Sequence, residues 1–389
     1  MQHVFIIGAK GIPGHYGGYE TFVDKLTEYH ERRTDLKYHV ACKGTKAGEY
    51  EYHNARCFRI RVPDIGSVQA IYYDVAALKS CCEYIKKHRI RHPVVYVLAC
   101  RIGPFIRHYE KKIHKLGGEL YVNPDGHEWL RAKWPFWVRK YWKLSERMMV
   151  KHADLLVCDS RNIEKYIRKS YEKYHPNTTY IAYGAETGRS PLPQDHSRLE
   201  SWYRENQLSP GNYYLVVGRF VPENNFETMI REFMKSGSER DLAIITTGNE
   251  AFFKRLEKRL HFSRDKRIKF VGTVYDQDLL KKIRENAYGY IHGHEVGGTN
   301  PSLLEALGST KLNLLLNVSF NREVGGRAAV YWSKKPGSLA ALLNEADRMP
   351  PEQIEQMGRM ARSRIQRKYS WELIASSYAK LFLQRRNMA

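Results

Sequence analysis

Short apolar runs alternate with longer amphipathic stretches along the whole chain, and this alternation restricts the fold more than any other feature. In the first half the runs are HVFIIG, KYHVACK, HPVVYVLAC, GELYVNPDG and ADLLVCDS, with helical patterns such as YETFVDKLTEYH between them. Strands separated by helix-length segments need crossover connections, and crossovers set strands side by side in parallel. Residues 184–197, GAETGRSPLPQDHS, interrupt the rhythm with Gly, Ser and Pro and no periodicity, which predicts a linker. The pattern restarts at NYYLVVGRF and runs through LAIITTG, IKFVGTV, YGYIHGH and KLNLLLN. At 389 residues the chain is too long for one ordinary core. The expected class is α/β, with one doubly wound domain over 1–187, a second over 188–370, and a helix over 371–389 that packs back on the first. Ligands of open α/β sheets bind beyond the carboxyl ends of the strands, so two such domains facing each other would hold a cleft between them.

Charge narrows the partners. Lys and Arg number 64 against 42 Asp and Glu, a formal charge of +22 that is spread over both halves with no basic tail. Such an excess predicts a polyanionic partner. The chain has no zinc finger, RRM signature or helix-turn-helix, so nucleic acid is not expected; an anionic membrane surface and a phosphorylated substrate are. No segment approaches the ~18 apolar residues of a membrane span. The opening MQHVFIIGAK has no basic region before its apolar run, which predicts a buried first strand and a cytoplasmic protein, and the charge excess adds peripheral association with the inner membrane face. Six cysteines at 42, 57, 81, 82, 100 and 158 include no C-x-x-C, so reduced structural thiols are expected and no metal site.

The loops after the strands carry the candidate chemistry. GAKGIPGHYGGYETF puts Gly17 and Gly18 ahead of a helix, where backbone can approach an anion closely. In NPDGHEW, Asp125, His127 and Glu128 follow a strand, and each can accept a proton from an attacking hydroxyl. Downstream, Trp129, Trp134, Trp137 and Trp142 interleave with Arg131, Lys133, Arg139, Lys140, Lys143, Arg147 and Lys151 against one acid, Glu146. A helix of that composition suits an anionic bilayer surface. Its core face is expected along Trp137, Tyr141, Leu144 and Met148, from their i, i+4, i+7, i+11 spacing. In the second half, VVGRFVPENN places Arg219 at a strand end, where a guanidinium can grip a phosphate through two parallel bonds, with Glu223 in the same loop. TTGN, with Gly248, and VGTVYD, with Thr273, end strands in glycine-bearing turns. HGHEVGGTNPSLLEALGS turns abruptly from polar loop to helix, with Pro301 as first helical residue and Thr299 or Asn300 as cap. The amides of Gly298 to Asn300, with Ser302 beside them, offer a diphosphate the positive end of the helix dipole, and Glu305 lies one turn in, placed for ribose hydroxyls.

The series VCDS, VGRF, GTV and PSLLEAL resembles the retaining GT-B glycosyltransferases of family four over nearly the whole chain. More narrowly, GAKGIPGHYGGYETFV, NPDGHEW, GRFVPENNFETMI and HGHEVGGTNPSLLEAL are similar to bacterial rhamnosyltransferases that use dTDP-L-rhamnose, with the pneumococcal capsular β-1,4 group closest among them. The resemblance implies two facing Rossmann-like domains, metal-independent nucleotide-sugar binding in the second without a cofactor, and a lipid-linked saccharide acceptor (undecaprenyl-diphosphate-linked) on the first. The donor side then comprises Gly17, Gly18, Arg219, Asn224, Gly248, Thr273, Glu295, Gly298, Thr299, Asn300, Ser302 and Glu305; the acceptor and membrane side Glu128, Trp129, Arg131, Lys133, Trp134, Arg139 and Lys140; and Asp125, His127, Glu223 and Arg219 serve the reaction. Two positions depart from the family. The first carboxylate of its Glu-(seven residues)-Glu motif falls on Gly297, with Glu295 two residues early, and the Lys that often follows the GR strand is replaced by Asn224. A UDP-hexose-dependent transferase, a nucleotide-sugar epimerase and a non-catalytic polyanion-binding module are the competing readings.

Overall fold

The computed structural model describes residues 1–14, 17–131 and 133–384. In chain order its first elements are β1 (Gln2–Ile7), α1 (Gly18–Tyr29), β2 (Leu36–Gly44), β3 (Gly48–Tyr52), β4 (Ala55–Arg61), α2 (Gln69–Lys87), β5 (Val94–Leu98), α3 (Gly103–Lys115), β6 (Glu119–Asn123), α4 (Phe136–His152), β7 (Leu155–Cys158), α5 (Arg161–Ser170) and β8 (Thr178–Tyr180). The second series is α6 (Ser197–Asn206), β9 (Tyr213–Val217), α7 (Phe226–Lys235), β10 (Asp241–Ile245), α8 (Glu250–Leu260), β11 (Ile268–Phe270), α9 (Gln277–Glu285), β12 (Gly289–His292), α10 (Pro301–Ser309), β13 (Leu312–Leu316), α11 (Ser319–Gly325), β14 (Val330–Trp332), α12 (Ser338–Ala346), α13 (Pro351–Tyr369) and α14 (Trp371–Leu383). The chain divides into two compact units, Met1–Leu130, Trp134–Gly184 and Trp371–Ala389 in one, Arg131–Lys133 and Ala185–Ser370 in the other.

The first unit holds an eight-stranded sheet in the order β3-β4-β2-β1-β5-β6-β7-β8, parallel except where β3 runs against β4. Every residue of β5 is buried, as a central strand covered by helices on both faces requires. Helix α14 closes this unit: Trp371 stacks near Phe22 and fills the space a side chain at Gly184 would need, while Phe382 packs against Tyr38, Tyr96 and Tyr121. The second unit holds six parallel strands in the order β11-β10-β9-β12-β13-β14. Helices α8, α9 and α10 start on side-chain caps, Asn249, Asp276 and Asn300 in turn. All six cysteines are free and buried. Among the described residues no helix is long and apolar enough to cross a membrane.

Two features differ from the sequence reading. The hairpin of β3 and β4 escaped it, because its two-residue turn is His53-Asn54, both in the left-handed region, rather than a glycine pair. The core face of α4 is also displaced. Trp137 and Leu144 are exposed, and the helix buries Ser145, Glu146, Met149 and Val150 instead. Its inward face carries two polar residues whose needs are met locally. Ser145 Oγ accepts from Gly103 N at 2.7 Å and donates to Cys100 O at 2.6 Å, while Glu146 accepts from the Tyr166 hydroxyl at 2.5 Å and from Tyr171 and Lys143. An apolar-spacing rule cannot see a face of that kind.

Candidate functional site

Each sheet has one place where successive crossovers leave in opposite directions. In the first unit β1 lies between β2 and β5; in the second β9 lies between β10 and β12. Loops leaving such neighbouring strands splay apart and open a crevice at their carboxyl ends. The candidate residues collect at these two places.

In the first unit the loop after β1 is folded onto α1 by two carboxylates. Glu20 accepts from Lys10 N at 2.8 Å and Asp24 from Gly14 N at 2.7 Å, with Gly17 and Gly18 at the start of the helix. Gly8, at φ 105°, presses so closely on β5 that a Cβ would lie 2.3 Å from Leu98 O. Its carbonyl accepts from Arg101 at 3.0 Å, and the same guanidinium nitrogen meets Asp74, fully buried, at 2.9 Å. Arg101 was not singled out from the sequence. The available signal was a charged residue directly after the apolar run VVYVLAC, the logic that did select Asp125.

Asp125 and His127 follow β6 with φ of 59° and 54°, a backbone region that non-glycine residues seldom occupy and that recurs at functional sites. Asn123, fully buried, fixes the turn by accepting from Asp125 N at 2.8 Å, and Asp125 Oδ1 accepts from Gly126 N at 2.8 Å. Burial, then the nearby Asp125, Tyr183 and Asp159, raises the pKa of Tyr19, whose hydroxyl is buried and has no partner among the described residues. His127 lies 4.2 Å from Tyr166 between ring centroids, and burial lowers its pKa, so it is neutral and able to accept a proton near pH 7. Beside it a small pocket is lined by Asp125, Glu128, Trp129, Trp142 and Glu146. Carboxylates and indoles are side-chain types that can meet a sugar's hydroxyls and C–H faces, and of this lining Glu146 is already held within the protein by Tyr166, Tyr171 and Lys143.

The basic–aromatic set divides. Trp134 donates to Glu128 at 2.9 Å and Arg139 to Trp129 O at 2.9 Å, so both hold the turn containing Glu128 and Trp129 against α4. Lys140 is exposed and lies over the rings of Phe136 and Trp137. Arg131 and Lys133 group with the second unit.

In the second unit the loop after β9 is anchored by Phe220, packed against Phe226, Phe252 and Phe270. Arg219, its neighbour, is exposed. Asn224 is buried and donates to Arg219 O at 2.8 Å, so its amide braces the loop. Glu223 is buried too, with Oε2 unpartnered among the described residues. The loops after β10 and β11 are tied to the same edge: Thr246 donates to Gly218 O at 2.6 Å and Thr273 to Thr246 O at 3.0 Å, with exposed Gly248 in the turn between β10 and α8.

The loop after β12 completes the edge. Tyr290, His292 and His294 alternate onto one side, the two imidazoles stacked at 4.3 Å. Gly218 leaves room for them, since a Cβ there would lie 2.9 Å from His294 Cε1. Burial holds the pKa of His292 well below its ordinary value, and burial followed by the Arg219 charge lowers His294 to about 3. Both are therefore neutral at physiological pH. Glu295, the early carboxylate, accepts from Lys334 at 2.6 Å and from Asn225 at 3.1 Å. Asn300 caps α10 by accepting from Leu303 N at 3.2 Å, with Pro301 as first residue and Thr299 buried just before it. Ser302 Oγ meets the Tyr290 hydroxyl at 3.2 Å, and Glu305 pairs at 2.7 Å with Arg284, which is buried. Neither Arg284 nor His294 was selected from sequence; Arg284 sits on another helix, and only the fold brings it under Glu305.

Residues 1–186 match a family described as a domain of unknown function (DUF1972). No curated protein sequence matches the chain. Among solved structures, sucrose-phosphate synthase from Thermosynechococcus elongatus aligns with a TM-score of 0.77 at 16% identity, over 98% of each chain. A glycosyltransferase from Rickettsia africae aligns at 0.73 and 13% over 99% of each. Anabaena HepE in complex with UDP aligns at 0.69 and 12% over 98% of this chain and 99% of its own. With both Rossmann-like sheets matched end to end, the chain has the GT-B fold.

Proposed function

We propose that this chain is a retaining glycosyltransferase that moves L-rhamnose from dTDP-L-rhamnose to glucose or N-acetylglucosamine on an undecaprenyl-diphosphate-linked acceptor, forming a β-1,4 linkage in capsular or cell-wall polysaccharide assembly. One observation carries the donor half of this reading: exposed Arg219, the amino end of α10 and the Arg284-anchored Glu305 gather at the β9/β12 switch point. A cation and a helix start suit a diphosphate. A carboxylate fixed by a buried guanidinium suits paired ribose hydroxyls.

As the bond between the anomeric carbon and the diphosphate breaks, negative charge grows on the leaving oxygen, and Arg219 with the α10 amides stabilises it without a metal. The acceptor hydroxyl attacks the same face. Its proton passes to the departing phosphate oxygen as the new C–O bond forms. Asp125 and His127 orient the acceptor on the first unit, and Glu223 the donor sugar on the second. Neutral His294, beside Gly218, adds no charge to a sugar pocket that has Gly297 where the family places a carboxylate, in keeping with a deoxy sugar.

A UDP-hexose donor is the second reading, favoured by two neighbours whose structures hold UDP and UDP-2-fluoro glucose. A panel of labelled nucleotide sugars, each offered with lipid-linked glucose and lipid-linked N-acetylglucosamine, separates the two. Label from dTDP-L-rhamnose alone should enter the organic phase. Transfer from UDP-glucose in its place would establish the second reading, and turnover of a nucleotide sugar without acceptor would point to an epimerase.

A further inference from the structure

Helices α3 and α4 run side by side in register. Gly103 N meets Ser145 Oγ and Glu110 meets His152, each pair 42 residues apart. Ser145 is therefore level with the first residue of α3, and Phe136 to Leu144 extend beyond it. Nine residues at 1.5 Å each make an overhang of about 13 Å. Within it no residue is buried. One face of this stretch carries the turn of Glu128 and Trp129, through Arg139, and the outward face leaves its apolar residues in water at a cost.

Those residues are large. Trp137 is 75% and Phe136 59% exposed, and Leu144 follows on the same stripe. Lys140, Arg147 and Lys151 complete that stripe at helical spacing, all exposed. The only acid of the segment, Glu146, is buried and held by Lys143 and two tyrosines, so it does not offset them. The same rim continues across neighbouring helices. Tyr141 of α4 bonds to Arg101 O at 2.6 Å, and Arg101 bonds to Asp74 in the second turn of α2. Phe105 at the start of α3, with Val68 and Tyr72 at the start of α2, are exposed there as well. In the second unit the exposed large apolar side chains among the described residues are only Tyr275 and Met360.

We propose that this rim of the first unit, led by the overhanging start of α4, docks on an anionic lipid surface. Aromatic rings settle at the boundary between headgroups and acyl chains, and cations beside them pair with lipid phosphates. Lys140 is built for that boundary, its ammonium 4.5 Å from the Phe136 ring centre and 5.4 Å from that of Trp137. Charge selects lipid over a second copy of the chain, since two surfaces with this cationic stripe would repel. The proposal does not depend on the donor or acceptor named above.

Flotation of the full chain with phosphatidylcholine vesicles, with and without phosphatidylglycerol, tests it directly. The chain should float with the anionic vesicles, and added salt should weaken the association. The double variant Phe136→Ser/Trp137→Ser should bind at least ~10-fold more weakly, as should Lys140→Gln/Arg147→Gln to a smaller degree, while Tyr275→Ser behaves as wild type. Circular dichroism and Tm establish that the variants are folded, and Trp137→Phe should retain flotation yet lose quenching by brominated lipid. Equal flotation of the aromatic double variant overturns the proposal. So does binding of an RNA oligomer or heparin without vesicle binding, or a Trp137-dependent dimer that ignores vesicles.

Discussion

Replacing Glu305 should have two separable effects, because the carboxylate pairs with Arg284 within the protein and, in the proposed function, with the ligand. Its Oε2 lies 2.7 Å from the guanidinium of Arg284, whose side chain is only 4% exposed. Glu305→Ala leaves that cation without its counter-charge. Breaking a fully buried pair costs about 3–5 kcal/mol, but Glu305 is 35% exposed and water can enter, so the loss should be about 2–3 kcal/mol. The ligand effect is distinct. Hydrogen bonds to a charged group contribute about 1.5–3 kcal/mol, or roughly 10- to 100-fold in affinity. The double variant Arg284→Met/Glu305→Leu separates them, since removing both charges of a buried pair is often neutral or stabilising. Urea unfolding should show the double variant within about 1 kcal/mol of wild type. Titration calorimetry with dTDP should show both variants weakened 10- to 100-fold. Wild-type affinity in the double variant would refute the ribose-binding role of Glu305, and unchanged stability of Glu305→Ala would refute the buried-charge reasoning.

Arg219→Ala should lower turnover by about 100-fold, because it removes a cation from developing charge, while leaving stability within about 0.5 kcal/mol at an exposed site; unchanged turnover would remove Arg219 from that role. Asp125→Asn tolerates the same left-handed backbone, so steady-state kinetics should show transfer reduced by about 100-fold with nucleotide affinity intact, and full activity would exclude its acceptor role. Burial, the largest cause in each, lowers the pKa of His30 to about 4 and those of His39 and His294 to about 3. Above about pH 6.5 these histidines are neutral folded and unfolded; as pH falls below that value the unfolded chain binds protons that the folded chain refuses. Each should then cost about 1.4 kcal/mol per pH unit down to its folded pKa, which urea midpoints between pH 7 and 4.5 can measure; a flat profile would contradict neutral burial.

The parallel sheets were legible because strand and helix periods differ, and a fully buried strand such as β5 reads as an unbroken apolar run. The loop-to-helix transition at Asn300 and Pro301 was legible because a cap and a first-turn proline are local signals. What stayed hidden depends on partners distant in sequence. Ser145 and Glu146 face the core of α4 because Cys100, Gly103, Tyr166 and Tyr171 satisfy them, and nothing near position 145 records those partners. Arg284 likewise gains meaning only from Glu305 on another helix, and Arg101 from Asp74 and the bend at Gly8. The hairpin of β3 and β4 was missed because His-Asn is a weaker turn signal than Asn-Gly.

The measurement closest to the central claim is a crystal structure of the chain with dTDP bound. The diphosphate should lie between the Arg219 guanidinium and the amides at the start of α10, with the ribose hydroxyls on Glu305. A nucleotide bound elsewhere, with that edge of β9 and β12 vacant, would contradict it.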